Sequence, residues 1–154
     1  MESITKLTIN GEEYEAKGSF MFKRHATKQY SKKEEDKTVD GFDRIYGGVI
    51  ERDPEALSMF WDCAISHLGK KKPAVEDIED ALMEAIQEND DTLPLLVGAA
   101  EVLDDSAFFR RKSEQYWFNV DQAYRMAKTE EEKEERKKQA AFLKEMHTGL
   151  KPKK

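Results

Sequence analysis

Cys63 and His67 lie four residues apart, the spacing that puts two side chains on one face of an α-helix, where a thiol and an imidazole can share a proton or a metal. A structural zinc site takes four ligands, and a catalytic one takes three plus water. His25 and His147 fall in distant segments, so the pair reads as a semi-buried cysteine beside a histidine. Glu76, Glu79, Asp80 and Glu84 form a carboxylate row at i, i+3 and i+4. Paired carboxylates can act as acid and base or hold a divalent cation. Here no histidine accompanies them and they fall opposite an apolar stripe, which is the pattern of a solvated helix face. Gly47-Gly48 lacks the lysine and the preceding strand of a phosphate loop. Lys70–Lys72 and Lys151–Lys154 are short basic clusters in a chain of net charge −6, without the stacking or base-reading side chains of a nucleic-acid surface. No catalytic residue, metal ligand or cofactor-binding residue is expected, and neither nucleic acid nor a membrane is an expected partner. The chain reads as a non-enzyme.

What remains is apolar side chains with no obvious place in a core. Phe108, Trp117 and Phe118 lie off the main stripe of their helix. A six- or seven-helix domain can bury all three, or they can form an exposed patch, since aromatic residues are the usual interface anchors. Phe142, Leu143 and Met146 are set apart by a charged stretch over Lys128–Lys138. A helix with so little apolar surface cannot stabilise itself; it docks back on the body or takes a partner. These six residues are the candidate partner-binding set.

The elements that would position them can be read in order. Asn10-Gly11 suits the two positive-φ positions of a hairpin turn, which pairs Ile9 with Glu12, Leu7 with Tyr14, and Thr5 with Ala16. Leu7, Ile9, Tyr14 and Ala16 then share one face, and a lone hairpin needs that face covered. Ser19 is placed as an N-cap for a helix marked by Phe22, Ala26 and Tyr30. Ser31–Lys37 has no apolar residue and reads as a solvated loop. Phe42, Ile45, Tyr46, Val49 and Ile50 write a helical stripe interrupted by Gly47 and Gly48, which either frays it or allows close packing. Asp53-Pro54 starts a helix with Leu57, Phe60, Trp61, Ala64 and Leu68 on one face, ended by Gly69. Val75, Ile78, Leu82, Ala85 and Ile86 mark the next helix; Leu93, Leu96, Val97, Ala100 and Leu103 the one after. The longest pattern keeps Phe109, Tyr116, Val120, Ala123, Tyr124 and Ala127 in register. Thr129 and Glu132 fit a capping box opening a charged helix that Gly149 and Pro152 end. The fold class is therefore mainly α (α+β). An N-terminal β-hairpin packs on a bundle of about five to seven helices over residues 1–128, and a charged helical arm follows over residues 129–154.

Charge divides the same way. Residues 1–109 carry 24 acidic and 13 basic side chains, whereas residues 110–154 carry 8 acidic and 13 basic. The two parts have opposite sign and can attract each other or a neighbouring copy. Charged residues make up 38% of the chain, well above the usual share of about 25%. The single cysteine excludes an internal disulfide and fits a reducing compartment, no signal peptide is recognisable, and no apolar run approaches the length of a membrane span.

Four pieces in sequence carry a resemblance. They are Leu7-Thr8-Ile9-Asn10-Gly11-Glu12-Glu13-Tyr14; the aromatic helix from Phe20; the glycine-containing helix ending Arg52-Asp53-Pro54-Glu55-Ala56-Leu57; and Val75-Glu76-Asp77-Ile78-Glu79-Asp80-Ala81-Leu82. Their order and spacing resemble the tail assembly chaperones of long, flexible-tailed bacteriophages, particularly those of Gram-positive hosts. The resemblance runs from about Ile4 to Phe118 and fades beyond Lys128. It implies a mainly α-helical, homo-oligomeric protein that binds the tape measure protein, keeps it soluble and helps recruit major tail tube subunits. It also implies work in the host cytoplasm and absence from the finished virion. Many such proteins are made in two lengths by programmed frameshifting, and this chain would correspond to the short form. A structural head–tail joining or tail completion protein of a phage is the alternative, and a small DNA-binding regulator is a third reading.

Overall fold

The computed structural model describes residues 2–151. Pro152, expected to help end the last helix, and Lys153 and Lys154 of the terminal basic cluster lie outside them. Two short antiparallel hairpins and seven α-helices make up the described fold. Strands β1 (Lys6–Ile9) and β2 (Glu12–Glu15) pair in the expected register, Leu7 with Tyr14 and Ile9 with Glu12. Asn10 and Gly11 take the two positive φ angles of the turn. Leu7, Ile9 and Ala16 are buried, while Tyr14 is only half-buried at the rim.

Helix α1 (Phe20–Tyr30) starts where Ser19 Oγ accepts from the Phe22 N–H, and it buries Phe22 and Ala26. Helix α2 (Gly41–Ile50) buries its whole predicted stripe. A Cβ at Gly41 would stand 1.8 Å from the Ala26 carbonyl oxygen, and one at Gly48 2.7 Å from Ala56 Cβ. These glycines therefore serve close packing rather than fraying. Helix α3 (Pro54–Ala64) is capped by Asp53, whose carboxylate accepts from the Glu55 N–H. Helix α4 (Val75–Asn89) covers the hairpin on one side and α3 on the other. Helix α5 (Leu93–Asp105) threads the centre, α6 (Arg110–Arg125) crosses it, and α7 (Glu130–Gly149) lies along α6. The core is aromatic, with Phe109 ring centroids 4.8 Å from Phe22 and 4.9 Å from Phe42.

Five expectations need correction. Ser31–Lys37 is not a loop: β3 (Lys32–Glu34) pairs with β4 (Lys37–Val39), and Glu35 adopts a left-handed turn. Its ends are brought together from outside, by the Gly41 N–H donating to Ser31 Oγ and Arg44 to the Tyr30 carbonyl, so no apolar alternation was needed. Helix α3 stops at Ala64, before Leu68. Ser66 Oγ donates to the Cys63 carbonyl at 2.6 Å, an alternative partner that competes with the helical ladder, and a 3-10 turn (Ser66–Lys71) follows. Helix α5 is not amphipathic. Leu95, Leu96, Val97, Gly98, Ala99 and Ala100 are all buried because the N-terminal segment closes its outer side, Ile4 donating its N–H to the Pro94 carbonyl. The longest helix is α7, at 20 residues against 16 for α6. Finally, Thr129 caps α7 as expected, but Glu132 reaches back to the Lys128 N–H rather than to that of Thr129.

Candidate functional site

A buried carboxylate, Asp62, and a partly buried one, Asp104, organise the polar interior. Asp62 sits on α3 in the run Phe60-Trp61-Asp62-Cys63, its side chain only 4% exposed. It accepts from His25 Nε2 at 2.7 Å, from Tyr30 Oη at 2.7 Å and from Lys72 Nζ. Burial alone would raise its pKa, but the bonds from Lys72, Tyr30 and His25 outweigh burial and hold the carboxyl below its ordinary value. The Tyr30 hydroxyl is pushed up, by burial and then by donation to that carboxylate. The cluster ties α1 and the turn after α3 to α3 itself. A free charge in a run of core residues is the signal that could have found it.

Asp104 anchors a second network. Tyr46 Oη donates to Asp104 Oδ1 at 2.5 Å, His147 Nε2 lies 2.7 Å from Asp104 Oδ2, and Trp117 Nε1 donates to Tyr46 Oη at 2.8 Å. Four helices, α2, α5, α6 and α7, meet in this network. Burial, followed by the Asp104 bond, raises the Tyr46 pKa, and burial pushes Tyr116 beside it up to about 12. His147 lies near the C-terminal end of α7, so the network latches the arm to the body. Leu143 and Leu150 are buried beneath the arm, Met146 packs on the core with Arg52 Nη1 on its sulfur, and Lys144 pairs with Asp121 at 2.8 Å.

The six candidate partner residues thus separate into two sets. Trp117, Leu143 and Met146 hold the arm on the body. Phe108, Phe118 and Phe142 face solvent, the last two at 55% and 54% exposure. The structure does not bring these three together as one aromatic cluster; Phe108 instead meets Phe20, ring centroids 4.9 Å apart, edge to face. Phe20 is itself 69% exposed with Arg24 over its ring, and sequence reading missed it because it opens an ordinary helix. A second feature it missed is a groove of about 280 Å³ between α3 and α4, lined by Pro54, Leu57, Leu82, Met83 and Ile86 with Glu55, Ser58 and Glu79. Cavities that take drug-sized ligands run from about 300 Å³ upward and are well enclosed. This open groove suits side chains of another protein better than a small molecule.

Cys63 and His67 do not share a helix. Cys63 is buried in α3, where burial and then Asp62 push its thiol pKa up, away from the reactive thiolate. His67 is exposed in the 3-10 turn. Glu76, Glu79, Asp80 and Glu84 all face solvent on α4. Among the described residues no group of three or more His, Cys, Asp or Glu is placed to hold a metal. No helix among them is long and apolar enough to cross a membrane.

Compared with known families, residues 6–116 match the model of the phage tail assembly chaperone protein family. The match spans β1 through most of the first half of α6 and leaves α7 outside it. No curated protein and no solved structure matches the chain.

Proposed function

The chain belongs to the phage tail assembly chaperone family, and from that premise we propose that it binds the tape measure protein, keeps it soluble and helps recruit major tail tube subunits. The match across residues 6–116 carries this reading. Physical chemistry supports it. A long helical ruler presents repeated apolar stripes before the tube covers them, and a holding protein meets such stripes with exposed aromatic and methionine side chains over a rigid body. Phe118 and Phe142 on the α6–α7 pair offer such anchors. The arm over residues 129–154, which carries Phe142, lies beyond the matched span. The protein works as a homo-oligomer in the host cytoplasm, without catalysis, and leaves before the virion is complete. A longer product made by frameshifting accompanies it.

A co-expression pull-down with the tape measure protein tests the contact. The wild-type chain should retain it, and a Phe118→Asp, Phe142→Asp variant, altered only at exposed positions, should lose most of it while keeping its helical circular dichroism. Equal retention by both would remove the assigned face. Mass spectrometry of purified particles should find no copy of the chain; stoichiometric recovery would favour a head–tail joining or completion protein instead.

A further inference from the structure

We propose that copies of this chain join head to tail, the Phe20–Phe108 knob of one copy seating in the α3–α4 groove of the next. This deepens one part of the function proposed above, the homo-oligomer, and is independent of the tape measure contact. The knob is apolar and basic. Phe20 and Phe108 stack edge to face at the surface, braced from below by Phe109, whose centroid lies 5.0 Å from that of Phe108. Arg24 lies over Phe20, and Arg110 follows Phe109. Neither arginine makes an ion pair among the described residues; Arg24 reaches only the Met21 sulfur and Arg110 only the Asp105 carbonyl. Arg111 adds a further charge, loosely paired with Glu114 at 3.7 Å.

The groove is the complement in both respects. Its floor is Pro54, Leu57, Leu82 and Ile86, with Met83, 52% exposed, as an adaptable wall. Its ionisable lining is Glu55 and Glu79, with no lysine or arginine. Neither glutamate is paired with a cation among the described residues, although Glu79 accepts from Ser58 at 2.7 Å. Residues 1–109, with 24 acidic and 13 basic side chains, would otherwise repel the same part of another copy. A basic knob entering an acidic groove is the contact that reverses that sign.

Knob and groove are different surfaces, set at opposite ends of α3. The Lys17 N–H donates to the Ala64 carbonyl, which fixes the start of α1 at the C-terminal end of α3, whereas the groove uses the N-terminal end, Pro54 to Ser58. An 11-residue helix separates them by about 15 Å. Used head to tail, the contact is heterologous and builds a ring or an open chain, whereas the same two surfaces paired reciprocally would close a two-fold dimer.

Sedimentation velocity of the full chain alone, across concentration and at low and high salt, tests this. The wild type should grow beyond a dimer with concentration and retreat at high salt, because the charged rims are exposed and screened. A knob variant (Phe20→Ala with Arg24→Glu) and a groove variant (Glu79→Lys with Met83→Ala) should each weaken association by about 30-fold or more, the loss expected of central anchors. Mixed one to one, they should stop at a heterodimer, since one intact knob and one intact groove remain. An Arg24→Glu, Arg110→Glu variant that leaves both rings in place serves as a second knob test. All substituted side chains are exposed, so circular dichroism should not change. A monomeric wild type, a self-closed dimer, or variants with wild-type mass would overturn the proposal. So would a mixture that stays monomeric. The tape measure pull-down is unaffected by any of these outcomes.

Discussion

Replacing Asp62 should be among the most damaging single changes to the fold. The Asp62→Asn variant keeps the shape of the side chain but removes the charge that Lys72, Tyr30 and His25 converge on. Removing one partner of a buried ion pair typically costs about 3–5 kcal/mol, because the other charge stays buried without compensation. Lys72 is 18% exposed and also donates to the Pro73 carbonyl, so it can turn toward water, which places the cost near the low end, about 3 kcal/mol. For a chain of this size that corresponds to a drop in Tm of about 6–12 °C, measured by circular dichroism or calorimetry. The pH dependence has a defined sign. The folded carboxyl is held below its ordinary value, so its contribution is present above that value and disappears as pH falls through the lower folded one. The stability gap between wild type and Asp62→Asn should be constant above about pH 5 and narrow below about pH 4. A Tm shift under about 2 °C at neutral pH, or a gap that widens on acidification, would refute the assignment of Asp62 as a structural hub.

Other consequences are as direct. Leu7→Ala should cost about 2–3 kcal/mol in urea unfolding, since the side chain is buried under the hairpin, whereas the half-exposed Tyr14 should tolerate alanine better. Gly98→Ala should destabilise by about 3 kcal/mol or more, because its Cβ would stand 1.8 Å from the Ile4 carbonyl oxygen; hydrogen exchange should show the N-terminal segment released from α5. His147→Ala should loosen α7 from the body, read as faster exchange and proteolysis C-terminal to Lys128 while the α1–α5 core stays protected, because the change removes the arm's bond to Asp104. A Cys63→Ala, His67→Gln variant should fold and support tail assembly; assembly lost with folding intact would reopen a catalytic reading.

Most of the helical architecture was legible because it rests on local signals. Asn10-Gly11, Ser19 and Asp53-Pro54 each encode a turn or a cap in two or three residues, and each appears where expected. The helix stripes were legible wherever one face meets solvent. They failed at α5, where a segment distant in sequence covers the second face, and at β3–β4, where two helices impose a hairpin on residues that do not favour one. Helix α3 ended early because the Ser66 hydroxyl captured a backbone carbonyl, a choice that periodicity cannot anticipate. The surface was harder. Phe118 and Phe142 stood out as apolar residues in polar helices, but the Phe20–Phe108 pair and the α3–α4 groove each join residues far apart in the chain. A charge inside the Phe60–Cys63 run could have flagged Asp62, whereas Asp104 looks like any acidic residue until the helices that surround it are assembled.

The central claim is that this chain holds a tape measure protein in solution. Co-expression of that protein with and without the chain, followed by measurement of its soluble fraction, tests it most directly. The account predicts that the tape measure protein is largely insoluble alone, soluble in the presence of the chain, and recovered with it as one complex. A tape measure protein equally soluble in both cases, with no copy of the chain bound to it, would contradict the account.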